Sequence, residues 1–173
     1  MPRFEVEQKY RIKNPASLRQ RLKSLGAKCL QRGLEKNELW DWEGMFRKRG
    51  CVLRLRETGG RGVLTLKGPK LKSKFKKRRE WENEVNLKIM RAILKGGKFK
   101  VIARYHKIRE EYLLRGAHVT LDHLSKHGWF SEIEAPSEKI AILARALGFT
   151  EGDREERTYL EMIYGPKSTW RGK

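Results

Sequence analysis

Ionic residues recur at every second position in six stretches of this chain, and that alternation constrains its fold more than any other feature. The first stretch is Glu5, Glu7 and Lys9. The others are Arg54 and Arg56, Thr65 and Lys67, Glu80 with Glu82 and Glu84, Lys107 and Arg109, and Glu132 and Glu134. A β-strand sends residues i, i+2 and i+4 to one face. Each run therefore gathers its ionic residues on one side and largely apolar neighbours on the other. Acids and bases are grouped by strand. Neighbouring carboxylates repel and are costly to bury without a cation between them. A sheet closed with this face inward makes a wet tunnel with a basic lining and an acidic patch, and its apolar exterior needs helices to cover it. Period alone does not separate a closed tunnel from an open sheet.

The rest of the chain reads as α+β. Residues 3–12 form the first strand, and Asn14-Pro15 opens a helix that Gly26 ends. Strands are expected near 28–34, 37–42, 51–57 and 62–68, with Gly59-Gly60 in a turn. Residues 70–78 read as a basic loop before a strand at 79–86 and a helix near 87–95. Strands near 98–105, 107–114, 117–123 and 129–135 follow, with Arg115-Gly116 as a hairpin turn. Pro136-Ser137 opens a further helix, and a last helical segment covers roughly 152–163. The reading is one domain over 1–164 and a polar tail over 165–173.

The 173 residues suffice for one domain with a real core. The formal charge of +20 attracts polyanions, so a triphosphate-bearing small molecule, polyphosphate or nucleic acid is the expected kind of partner. Cys29 and Cys51 form neither a metal-type pair nor a disulfide framework, which suits a reducing cytoplasm. No apolar run is long enough to span a membrane. The expectation is a cytoplasmic protein without a membrane partner, a monomer or a homodimer.

The ordered runs resemble the CYTH family, the triphosphate tunnel metalloenzymes. The resemblance rests on Glu5-Val6-Glu7-Gln8-Lys9, Leu53-Arg54-Leu55-Arg56, Thr65-Leu66-Lys67-Gly68-Pro69, Arg79-Glu80-Trp81-Glu82, Lys107-Ile108-Arg109, Leu121-Asp122 and Glu132-Ile133-Glu134. It implies an eight-stranded antiparallel barrel with helices outside, a divalent metal and a triphosphate substrate. Glu5, Glu7, Glu132 and Glu134 then become metal ligands, and oxygen-only ligation suits Mg²⁺ or Mn²⁺. Lys9, Arg54, Arg56, Lys67, Arg79, Lys107 and Arg109 become phosphate-binding residues. Glu82 or Asp122 orients the attacking water.

Three activities follow. The first is metal-dependent hydrolysis of a triphosphate. The second is the class IV adenylyl cyclase reaction, in which the 3′-hydroxyl of ATP attacks the α-phosphate and expels pyrophosphate. The third is polyphosphate or RNA binding without chemistry. Arg3-Phe4 stands where some cyclase-like members carry His-Phe, a departure that favours hydrolysis. Zinc on His118, His123 and His127 is the weaker metal reading, since their spacing crosses a strand and a turn. Trp40 and Trp42 are candidates for stacking a substrate ring, while Trp81 has the parity of a core residue. The loop lysines read as a solvated run or a polyanion funnel, with Phe75 their only aromatic neighbour.

Overall fold

In the computed structural model, which describes residues 3–166, all six alternating runs lie on strands. The strands are β1 (Arg3–Ile12), β2 (Lys28–Asp41), β3 (Val52–Thr58), β4 (Arg61–Lys67), β5 (Lys76–Val85), β6 (Lys100–Leu114), β7 (Ala117–Leu124) and β8 (Gly128–Glu134). They form a closed antiparallel barrel in the order β1-β5-β4-β3-β2-β6-β7-β8. Pairing of β8 back onto β1, through Glu7↔Glu134 and Lys9↔Glu132, closes it. Closure leaves the sheet without a free edge. The turns read from the sequence make two of the joints. Gly59-Gly60 and Arg115-Gly116 all have positive φ, as a two-residue hairpin between twisted strands requires.

Helices α1 (Pro15–Ser24), α2 (Met45–Lys48), α3 (Leu87–Gly96), α4 (Ser137–Ala146) and α5 (Tyr159–Tyr164) surround the barrel. Asn14 caps α1 by accepting from the Ser17 N–H at 3.0 Å, with Pro15 in the first turn. Leu18 and Leu22 of α1 and Ile140, Leu143 and Ala144 of α4 pack on Tyr10, Val119, Leu121 and Ile133 of β1, β7 and β8. Leu94 of α3 packs with Trp40, Leu53 and Leu55 of β2 and β3. The hydrophobic core therefore lies between barrel and helices, on the outer face of the sheet. Burying each of these Leu, Ile and Val side chains is worth roughly 1.5–3 kcal/mol, so the core's position holds the ionic face inward.

The structure corrects the expected elements in four places. Segments 28–34 and 37–42 are one strand, and so are 98–105 and 107–114. Both expected breaks lie beside the same cross-strand pair, Glu35↔Lys107. Charges at an inward position look like a turn until the opposite strand supplies their partner. The basic loop ends earlier than expected, because β5 begins at Lys76. The last helix is broken into a 3-10 turn (Glu151–Asp153), an extended piece and α5. In the extended piece Arg154 bridges to Tyr10 and the Glu155 N–H donates to the Lys9 carbonyl at 3.0 Å. Residues 167–173 of the expected tail, Trp170 among them, lie outside the described residues.

Candidate active site

The inward faces of the strands enclose a cavity of about 400 Å³. From β1 it receives Arg3, Glu5, Glu7 and Lys9; from β3, Arg54 and Arg56; from β4, Lys67. β5 contributes Lys76, Arg78, Glu80 and Glu82, β6 Lys107 and Arg109, and β8 Glu132 and Glu134. Thr158, Tyr159 and Leu160 reach in from the start of α5. Nine Lys and Arg face seven Glu in the lining, so almost none of the net charge of +20 resides there.

One side of the cavity is organised by a buried acid. Arg109 donates to both oxygens of Asp122, at 2.7 and 2.6 Å, and to Glu132 at 2.6 Å. Lys107 Nζ lies 3.2 Å from Asp122 and 3.4 Å from Glu35. The Tyr159 hydroxyl donates to Asp122 at 2.6 Å. The ammonium groups of Lys9 and Lys107 sit 3.8 and 4.4 Å from the centre of the Tyr159 ring. Burial raises the proton affinity of Glu35, but Lys107, Arg109, Arg54 and Arg56 reverse it and hold the carboxylate well below its usual range. Glu132 is likewise held ionised against burial by Lys9, Lys107 and Arg109. Lys9 goes the other way. Burial lowers it to about 8, with Glu132 opposing.

The other side is acidic. Lys67 donates to Glu5 at 2.6 and 2.8 Å and lies 3.5 Å from Glu80. Lys76 donates to Glu7, and Arg3 approaches Glu134 at 3.2 Å. Burial pushes Glu134 up to about 7; Arg3 opposes this, while Glu5 and Glu7 add to it. One oxygen of Glu80 is buried without a hydrogen-bond partner. This corner is short of positive charge and offers only oxygen donors, a chemistry that fits a hard divalent cation. Among the described residues no three carboxylates converge on one point. As it stands, lysines occupy the acids that a metal would take.

Two cations in the lining stand apart. Arg54 Nε and Arg78 Nε are buried with no hydrogen-bond partner, and among the described residues neither side chain joins the tunnel's ion pairs. A buried guanidinium N–H left without an acceptor is costly. Arg56, by contrast, donates to Glu82 at 3.2 Å, while Thr65 donates to the other Glu82 oxygen at 2.9 Å.

Most expected site residues meet in this cavity: Glu5, Glu7, Lys9, Arg54, Arg56, Lys67, Glu82, Lys107, Arg109, Glu132 and Glu134. Two do not. Arg79 is exposed on the outer face of β5, its guanidinium 5.4 Å from the Phe4 ring. Asp122 shares the inward face of β7 with Thr120 but is fully buried, with both oxygens engaged by protein donors. Among the three glutamates of β5, Glu80 is deepest, and Glu84 is exposed opposite Arg61. Sequence reasoning missed Arg3, Glu35, Lys76, Arg78 and Tyr159. Carrying the parity of Glu80 and Glu82 four residues back would have found Lys76 and Arg78. His118 pairs with Glu111 at 2.7 Å and His123 stacks on Trp129, so these histidines do not converge. Trp40 is buried in the core beside α3, whereas Trp81 is 40% exposed.

The CYTH domain profile matches residues 3–159. The chain belongs to the CYTH domain family. A Methanocaldococcus jannaschii protein named "putative adenylate cyclase" is 29% identical over 171 residues, which is 92% of this chain and 98% of that protein. The crystal structure of a Vibrio parahaemolyticus protein with the same name is 27% identical and superposes with a TM-score of 0.85, covering 93% of this chain and 98% of its own. A Hippeastrum protein described as a "putative adenylyl cyclase" with a dominant triphosphatase activity shares the fold at a TM-score of 0.71 and 18% identity, with 92% of this chain and 94% of that one covered. CYTH proteins bind triphosphate substrates.

Proposed function

We propose that this CYTH protein is a divalent-metal-dependent triphosphatase. The observation that carries the reading is the pair Arg54 and Arg78, each with a buried Nε that has no hydrogen-bond partner and, among the described residues, neither in a close ion pair, in a closed cavity whose other bases are already matched with acids. An anion of high charge density supplies what they lack. Arg54, Arg56, Arg78 and Arg109 bind its phosphates, and Lys67 and Lys76 turn to it as they leave Glu5 and Glu7. Those two carboxylates, with Glu134, are then free to hold Mg²⁺ or Mn²⁺. Such an ion supplies charge neutralisation on the phosphates and a more acidic bound water. Glu82, held by Thr65 and Arg56, is the acid placed to orient a water at the mouth. Glu132 and Asp122 fix Arg109 and Lys107, so these cations meet the developing charge already oriented.

One feature favours the cyclase reaction as a second reading. Leu39, Val52 and Tyr105 form an apolar patch in the lining against which a nucleobase can lie. Both readings are tested together by supplying tripolyphosphate, ATP, GTP and thiamine triphosphate with Mg²⁺ or Mn²⁺, and measuring phosphate, pyrophosphate and cyclic nucleotide separately. Phosphate release that stops in excess chelator and in Glu7→Gln is the expected result. Cyclic AMP with stoichiometric pyrophosphate selects the second reading, and turnover unaffected by chelator refutes the metal.

A further inference from the structure

Residues outside the lining carry nearly all of the +20 charge, because the lining is almost balanced. It is not spread evenly. The outer face where β1 pairs with β5 through Phe4↔Arg79 and Val6↔Lys77 has bases and exposed aromatic rings side by side. Phe4 is 53% exposed, with Lys77 Nζ 5.0 Å and the Arg79 guanidinium 5.4 Å from its ring centre. Trp81, the next outward residue of β5, continues the row. A methyl group placed on Gly68 would lie 3.7 Å from Arg79 Cβ and 3.8 Å from the Trp81 ring, so the two side chains adjoin across that glycine. The neighbouring loop adds Lys70, Lys72 and Lys74, and residues 68–75 contain no acid.

We infer that this outer face binds single-stranded nucleic acid. Every base has a π-face that can stack on an exposed ring, whatever its sequence. The outward cations of β5 stand roughly 6.6 Å apart along the strand, two residue rises, and so meet successive phosphates of an extended chain. Polyphosphate would use the cations and leave the rings idle. Duplex nucleic acid keeps its bases stacked within the helix, out of reach of a ring on a flat sheet. A membrane surface calls for a contiguous apolar ridge, whereas the Phe4 ring here is flanked by two cations. The face lies on the opposite side of the sheet from the tunnel, so the inference stands independently of the triphosphatase reading.

The test is binding of a fluorescent 20-mer oligouridylate, its duplex with oligoadenylate, and phosphatidylserine vesicles, across a salt series. Single strand is expected to bind in preference to both, without added metal, and to bind Glu7→Gln equally well. Phe4→Ala and Trp81→Ala are each expected to weaken it about fivefold or more while tripolyphosphate turnover is unchanged. Lys77→Ser with Arg79→Ser should reduce the slope of log affinity against log salt by about 1.4. Alanine variants that bind as wild type, equal binding of duplex, or preferential binding of vesicles overturns the inference. Circular dichroism of each variant shows that a loss of binding is not a loss of fold.

Discussion

Asp122 accepts hydrogen bonds from Lys107, Arg109, Thr120 and Tyr159 with no exposure to solvent. Removing its charge strands two buried cations, so Asp122→Ala is expected to cost about 3–5 kcal/mol of stability, read as a lower urea midpoint at unchanged slope. Glu134 makes the opposite kind of contribution. Its folded pKa of about 7 exceeds its ordinary 4.5, so between those values the folded chain holds a proton that the unfolded chain has lost. That stabilisation is complete below pH 4.5 and is lost as the pH rises through 7. Urea midpoints at pH 5 and 8 should therefore fall further for wild type than for Glu134→Gln; equal falls would contradict the assignment. Glu155 has the reverse sign. Its bond from Arg157, against the cost of burial, lowers it to about 2, so its contribution is present above pH 4.5 and fades as the pH drops through 2.

At the scale of elements, the seating of α3 on β4 depends on a missing side chain. A methyl group on Gly62 would come 2.6 Å from both Leu87 Cγ and the Val85 carbonyl. Gly62→Ala must push the start of α3 outward, and a loss of about 1–3 kcal/mol is expected from thermal unfolding, with the tunnel ion pairs untouched. β5 carries two chemistries on its two faces. Lys76 and Arg78 enter the tunnel while Lys77 and Arg79 face out. Replacing Lys70, Lys72 and Lys74 by Ser should lower substrate capture at low salt and leave turnover at saturation unchanged, since exposed charges steer an anion but are screened. Lys67→Ala should lower turnover at every ionic strength. The reverse pattern would move the chemistry to the loop.

Among the described residues the barrel's inward charges form close ion pairs apart from Arg54 and Arg78, so a triphosphate with Mg²⁺ should stabilise the molecule by giving those two guanidiniums acceptors. At one hundred times its dissociation constant a ligand contributes about 2.7 kcal/mol, which calorimetry reads as a raised unfolding temperature that chelator reverses. Among the described residues no helix is long and apolar enough to cross a membrane. The period-two alternation was legible in the sequence because strand geometry imposes it residue by residue, whatever the strand pairs with. It placed Glu5, Glu7, Arg54, Arg56, Lys67 and Arg109 on shared faces, and the ordered motifs supplied the closed barrel. Partnership was not legible. Glu35 looked like a break between two strands, because only Lys107 on the opposite strand supplies the charge that lets it be buried. Lys76-Lys77-Arg78-Arg79 has the same chemistry at both parities, so sequence gave its inner and outer members no distinction unless β5 was known to extend that far. Pairing with β1, through Glu5↔Arg78 and Glu7↔Lys76, decided that extent. A one-residue slip reverses every side chain of a strand, and the register that prevents it is a property of two strands together.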